Sequence, residues 1–302
     1  TKNFNVPMGG TLLWVYEGET DFWSYVLTGR SHLLDSGQEM DSIARAAAIV
    51  DARVGRSWRN LQDTTTDPII GYDGRPRSWS SWQRGFDYYT ESVFLWMEVD
   101  ARLRTLTHGA RSMDDFARSF HGSLTAPGIV TYGFDGVVAA LEALAPGNWR
   151  AWLRERLDSR TRSPAAEALR ASGWRVVYTE TAGDYLDDID TENKGADFSF
   201  SVGLSTGKDD VVTFVQWDGP AFRAGLATGG KLLAVNGHAY KKEILKIAIT
   251  ESRTSGKPIA LLVKEGDIYR TVDVAYAGGL RYPHLERIEG TPDLLARLLE
   301  PR

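Results

Sequence analysis

The stretch WVYEGET at residues 14–20 sets a carboxylate, Glu17, inside an aromatic-rich segment and follows it with Gly18 and Thr20. Around it Leu12, Tyr16, Trp23 and Leu27 recur at near-helical spacing, which predicts a helix from Thr11 to about Leu34 with that stripe buried. Glu17 shares the adjacent row with Leu13, Thr20 and Ser24. A helical carboxylate is a competent zinc ligand, but a zinc hydrolase needs three protein ligands and an open position for water. The H-E-x-x-H helix that supplies two such ligands and a general base is nowhere in the 302 residues.

Working outward, the first half reads as helical. Ser36-Gly37-Gln38-Glu39 has the form of a capping box and leads into Ile43, Ala47, Val50 and Val54, a second helix. Residues 57–81 mix Pro, Gly, Asp and Ser with isolated aromatics and read as an irregular connection. A strong helix follows, in which Tyr89, Val93, Trp96, Leu103 and Leu106 line one side until Gly109. Shorter helices are signalled after Ser112, from Val137 to Leu144, after Asn148, and at Ser163-Pro164 up to Gly173.

From Trp174 the pattern changes to short β-branched runs separated by turns: WRVVYT, FSFSVGL, VVTFVQW, KLLAVNG, PIALLVK and IYRTVDVAY. Between them lie a short helix at Gly219–Leu226 and a longer one from about Tyr240 to Thr254. A boundary near residue 172 therefore separates a helical part, residues 1–172, from a β-rich part, residues 173–276, with residues 277–302 as a tail packing on both.

Composition is that of an ordinary globular protein, 42% hydrophobic and 25% charged, large enough for two cores. A formal net charge of −5 without a dense Lys/Arg block gives no reason to expect a nucleic-acid partner. The absence of cysteine excludes disulfides, thiolate metal sites and a cysteine nucleophile, and leaves the compartment open. No run of about 18 apolar residues is present to span a bilayer, and TKNFNVPMGG lacks the basic start and apolar core of a signal peptide.

The order β, β, short α, β, long α, β, β, with G-P-A-x-x-A-G-L at 219–226 and L-L-A-V-N-G at 232–237, resembles a PDZ domain of the bacterial protease-associated type. The acidic residue often found before the Leu-Leu strand is replaced by Gly229-Gly230-Lys231. The resemblance implies a peptide-binding groove, with Val202-Gly203-Leu204 as the carboxylate-receiving loop and Ile244, Ile247 and Ala248 on the opposite wall. Read without it, Gly203 is a bulge in a strand.

WVYEGET (14–20), SWQRGFDYYTES (81–92), LWMEVDARLR (95–104), ARSMDDFARSFHG (110–122) and the tail GGLRYPHLERIEGTPDLL (278–295) occur in an order that resembles the C-terminal portion of the glycyl aminopeptidase family of zinc metallopeptidases. The likeness covers nearly the whole chain. It implies a multi-domain α and β protein: the helical part of a thermolysin-like gluzincin catalytic domain followed by a PDZ-like β-rich domain, the chain beginning just after the H-E-x-x-H helix. It further implies zinc as cofactor of the complete parent enzyme, with Glu17 as the third metal ligand. Peptides with small N-terminal residues such as glycine or alanine are the implied substrates, and a periplasmic or secreted parent is the implied location. The chain alone is then expected to be inactive and to hold zinc weakly, with the N-terminal remainder of the parent as its partner.

Tyr89 corresponds in this resemblance to the tyrosine that donates to the tetrahedral oxyanion two positions before a Lys-Gly pair. Here Glu91-Ser92 stands in place of Lys-Gly, and Tyr88 is the neighbouring alternative. Other residues read as structural: His32, His108, His121, His238 and His284 share no i, i+3 or i+4 spacing, and Asp114-Asp115 fits a helix N-terminus. No G-x-S-x-G elbow supports a serine hydrolase. The competing readings are a non-catalytic PDZ-containing scaffold and a pseudo-peptidase.

Overall fold

The computed structural model describes residues 5, 9–71, 79–122 and 130–301. The helical half comprises α1 (Leu13–Ser31), α2 (Ser36–Asp51), the short α3 (Leu61–Thr64), α4 (Asp67–Gly71) and α5 (Ser80–Gln83), then α6 (Thr90–Leu106), α7 (Met113–Phe120), α8 (Phe134–Leu144), α9 (Trp149–Asp158) and α10 (Pro164–Ala171). Then come β1 (Trp174–Thr179), α11 (Asp184–Glu192), β2 (Ala196–Phe198), β3 (Leu204–Thr206), β4 (Val212–Val215) and α12 (Pro220–Arg223). The chain ends with β5 (Lys231–Val235), β6 (His238–Ala239), α13 (Lys242–Ser255), β7 (Ile259–Glu265), β8 (Ile268–Val274), β9 (Tyr282–Arg287) and α14 (Leu294–Leu299). Among the described residues no helix is long and apolar enough to cross a membrane.

α6 is the centre of the first core. Val93 to Met97, Val99 and Leu103 are all buried, so the helix is apolar on every side and takes α1 and α10 as neighbours. α1 forms as the periodicity requires, and of the expected stripe Leu12 and Trp23 pack against the core, but the fully buried row is a neighbouring one. Trp14, Val15, Phe22 and Val26 face inward, while Tyr16 and Leu27 are exposed. Trp14 stacks on Trp96 at 5.7 Å between ring centroids, and the Trp96 indole donates to the Trp14 carbonyl at 3.0 Å. Each such buried ring contributes roughly 1.5–3 kcal/mol.

Gly18 explains the choice of face. A Cβ on Gly18 would overlap Ser92 and come within 2.9 Å of the Tyr88 carbonyl oxygen, so α1 approaches the start of α6 more closely than any side chain allows. Gly18→Ala is therefore expected to destabilise the protein by about 1–3 kcal/mol through overpacking, outweighing the roughly 1 kcal/mol gain in helix propensity. Adding Ser92→Gly should recover part of the loss in a denaturation double-mutant cycle. Unchanged stability in Gly18→Ala would show that the helices do not meet here.

α2 is capped one residue earlier than expected. Asp35, not Ser36, accepts from the Gly37 and Gln38 amides at 2.8 and 2.9 Å, and Gln38 rather than Glu39 closes the box. Glu39 instead points inward, buried against Gly29, with neither carboxyl oxygen partnered among the described residues. Burial pushes its pKa up to about 7. The carboxyl stays protonated in the native state after the unfolded chain has ionised, so stability falls as pH rises from about 4.5 towards 7. Glu39→Gln should match the parent near pH 4 and exceed it by roughly 2–3 kcal/mol at pH 8. Equal urea midpoints at pH 8 would place that carboxyl in water.

The connection expected to be irregular contains α3, α4 and α5, with residues 72–78 lying outside the described set. The third helix begins at Thr90, Tyr89 being the residue before it, and Leu106 is exposed rather than lining the core.

In the second half β1 pairs with β9 rather than with its sequence neighbours, and Trp174, Val176 and Leu285 pack on the first core together with Leu295 and Leu298 of α14. The second core runs from Ala196 to Val274 and is enclosed by two antiparallel sheets, β2-β3-β4 and β6-β5-β7-β8. FSFSVGL is not one strand. It reverses direction at Ser199–Gly203, where Gly203 has φ of +80°, and its two ends pair as β2 and β3. The halves meet through aromatic rings: Trp217 stacks on Trp82 at 5.2 Å and meets Trp79 edge-on at 5.6 Å.

Candidate active site

The close approach at Gly18 sets the preceding residue of α1 beside the segment that leads into α6. There the Tyr89 phenol faces the Glu17 carboxylate closely enough for the two to interact. Burial, then the neighbouring Glu17 carboxylate, with Tyr88 and Asp21 adding less, push the phenol pKa up, so Tyr89 stays neutral through the physiological range. Its ring lies 4.8 Å from that of Tyr88, which is fully buried, whereas Tyr89 and Glu17 are partly exposed. Asp21 stands one helical turn beyond Glu17, and burial followed by the Glu17 charge raises its pKa. Neither carboxylate has an ion-pair partner among the described residues. The two residues singled out from separate motifs thus share one anionic, half-buried patch.

Beneath the two tyrosines lies a buried charge network. Arg84 is fully buried, takes a left-handed φ of +49°, and pairs with Glu91 and, at 3.7 Å, with Asp87. Arg56 adds a second guanidinium on Glu91 at 3.0 Å, and Arg53 binds Asp87. Burial pushes the Glu91 carboxyl up, and the two guanidiniums oppose it. Arg84 and Glu91 bracket Tyr88-Tyr89 in the chain, so the network holds that segment in place. Glu91, standing where the resemblance has a lysine, points into this interior.

His121 is a partly exposed histidine satisfied by a carboxylate of α1, in keeping with its structural reading. Its Nε2 lies 3.1 Å from a Glu19 carboxyl oxygen, and the Trp23 indole donates to the other at 3.2 Å. The hydrogen bond to buried Glu19 raises the His121 pKa. No spacing rule finds this pair; the mid-helix Glu-Gly-Glu of α1 was the only signal. His284 bonds to Asp41 at 3.0 Å and joins β9 to α2. Asp114 pairs with Arg30 at 2.7 Å, and Asp115 accepts from the Ser112 amide at 2.9 Å, so this acidic pair is structural as expected.

In the β-rich half, Val202 and Leu204 are buried and the Gly203 amide donates to the Phe198 carbonyl at 3.1 Å. β3 is bonded to β2 on one edge and β4 on the other, so a peptide strand added there must displace β2. On α13, Ala248 is buried, Ile244 packs against the second core and Ile247 is exposed.

A partly exposed carboxylate that lacks a cationic partner among the described residues retains lone pairs for a metal, so Glu17 is chemically suited to a zinc ligand. Among the described residues no group of three or more His, Cys, Asp or Glu is arranged to hold a metal ion.

Residues 1–95 match the model of the M61 glycyl aminopeptidase family. That segment contains Glu17, Tyr89 and the whole charge network. No curated protein matches the chain. Among solved structures, the chain aligns with an aminopeptidase N family protein from Idiomarina loihiensis at a TM-score of 0.67 and 16% sequence identity, covering 96% of this chain and 49% of that one. At this identity the likeness establishes a shared fold. The chain spans about half the length of that structure.

Proposed function

We propose that the chain forms the C-terminal part of a zinc-dependent gluzincin aminopeptidase that removes small residues, glycine or alanine, from peptide N-termini. The observation that carries this reading is the close approach of α1 to the start of α6 at Gly18, which sets Glu17 beside Tyr89, two residues that the family resemblance assigns to one reaction. Glu17 would hold the metal together with histidines supplied by an H-E-x-x-H helix outside these 302 residues. Zinc, when bound, supplies a Lewis acid and lowers the pKa of a coordinated water. Tyr89, kept protonated, donates to the oxygen that gains charge as the peptide carbonyl becomes tetrahedral. Glu17 and Asp21 make the patch anionic, which suits a substrate with a free ammonium group.

The unit from Ala196 to Val274 we read as PDZ-like and regulatory, its Val202-Gly203-Leu204 loop open to a C-terminal peptide only when β2 is displaced. On the same resemblance the complete enzyme is placed in the periplasm or outside the cell. The test is hydrolysis of glycyl and alanyl p-nitroanilides by the polypeptide extended to include an H-E-x-x-H helix, with and without chelator. Zinc-dependent release supports the reading. A folded, metal-loaded protein without such activity would overturn the reading, whereas an upstream segment that lacks the two histidines would support the pseudo-peptidase.

A further inference from the structure

A cleft of about 520 Å³ opens between α2 and the outer face of β2-β3-β4, away from Glu17 and Tyr89 and not lined by Val202, Gly203 or Leu204. Its volume lies within the range of ligand-binding pockets. One wall comes from α2 and the turn after it, with Arg45, Ile49, Ala52 and Arg53. The facing wall is strand surface carrying Ser205, Thr213 and Phe214, with Phe200 and Lys208 at its ends.

The charges lining it are unevenly satisfied. Asp197 accepts from Arg45 at 3.0 Å, from the Ser199 amide at 2.9 Å and from the Ser205 hydroxyl at 2.8 Å. Burial acts to raise the Asp197 pKa, and Arg45 with these donors outweighs it. Asp190 is paired to Lys242 at 2.6 Å. Both acids are therefore spoken for. The cations are less committed: Arg45 gives one guanidinium nitrogen to Asp197, Arg53 gives one to Asp87, and exposed Lys208 has no ion pair among the described residues. Spare donors in a partly dry cleft favour an anion. Phe200, Phe214 and Ile49 add apolar faces; the Ser80 hydroxyl and the Asn193 amide suit a peptide backbone, while Thr213 and Gln216, whose donors go to the Ser205 and Ala52 carbonyls, can still accept.

We infer that this cleft binds the carboxylate end of a short peptide, with apolar side chains seated against Phe200 and Phe214 and the carboxylate among Arg45, Arg53 and Lys208. The inference does not rest on the metal reading, and the probe is chosen to keep the two apart. The N-acetylated tetrapeptide Ac-Ala-Phe-Ala-Phe has no free ammonium for an aminopeptidase. Its free acid and its C-terminal amide are titrated into the 302-residue chain by calorimetry and by amide NMR.

The free acid should bind at least tenfold more tightly than the amide and shift signals of Ser205, Thr213 and Phe214. Lys208→Glu, at an exposed position, should weaken the acid at least fivefold. Thr213→Trp, which fills the cleft, should abolish binding while leaving the thermal midpoint unchanged. Equal affinity for acid and amide, binding that survives both substitutions, shifts confined to Val202–Leu204, or no binding at millimolar peptide would each overturn the assignment.

Discussion

Under the proposed function, Glu17→Ala is expected to strip zinc from the polypeptide extended to include an H-E-x-x-H helix and to lower kcat/KM about a thousandfold or more, a loss of at least roughly 4 kcal/mol of transition-state stabilisation. Alanine leaves the helix intact, because residue 17 is only partly buried and the packing of α1 rests on Trp14, Phe22 and the contact at Gly18. Tyr89→Phe separates the two roles. It removes the phenol and keeps the ring against Tyr88, so metal content should be retained while kcat falls by about a hundredfold or more. Metal analysis and steady-state kinetics on the same preparations distinguish the outcomes. If the alanine variant keeps stoichiometric zinc, Glu17 is not a ligand; if the phenylalanine variant turns over normally, Tyr89 is a packing residue.

The second large effect concerns stability. Glu91→Lys restores the residue type that the resembled family has before its glycine, yet it should destabilise the protein by about 3–5 kcal/mol or prevent folding. The position is buried, and a lysine there would set a third cation beside Arg84 and Arg56. Replacing Arg56, Arg84 and Glu91 together with Met, Met and Leu should restore most of that stability, since removing a whole buried ion network costs far less than breaking it. Chemical denaturation of the single and triple variants checks this. A fully stable Glu91→Lys protein would mean that the side chain reaches solvent.

These two positions also show where sequence reading succeeds and where it stops. α1 was legible from spacing, but aromatic residues occupy both of its faces, and periodicity could not say which is buried. The informative residue was Gly18: a mid-helix glycine costs about 1 kcal/mol against alanine and is retained where another backbone comes close. The strands of the second half were legible because β-branched runs alternate with turns. β9 was not, because YPHLER lacks that alternation and its partner, β1, lies far away in sequence. FSFSVGL looked like one strand because its apolar alternation continues through a reversal that only the backbone angle at Gly203 reveals. Glu17 and Tyr89 were recognisable as motif residues. Their juxtaposition was not, since it depends on the α1–α6 approach, and neither was the use of Glu91 as an internal anion.

The most direct test of the central claim is the ionisation of Tyr89, followed by NMR of ¹³Cζ-labelled tyrosine in the parent chain and in Glu17→Gln. A phenol held beside the Glu17 carboxylate should titrate well above the ordinary tyrosine value in the parent and shift downward in the variant. The same titration in both proteins would contradict the account, for it would mean that the two side chains do not meet.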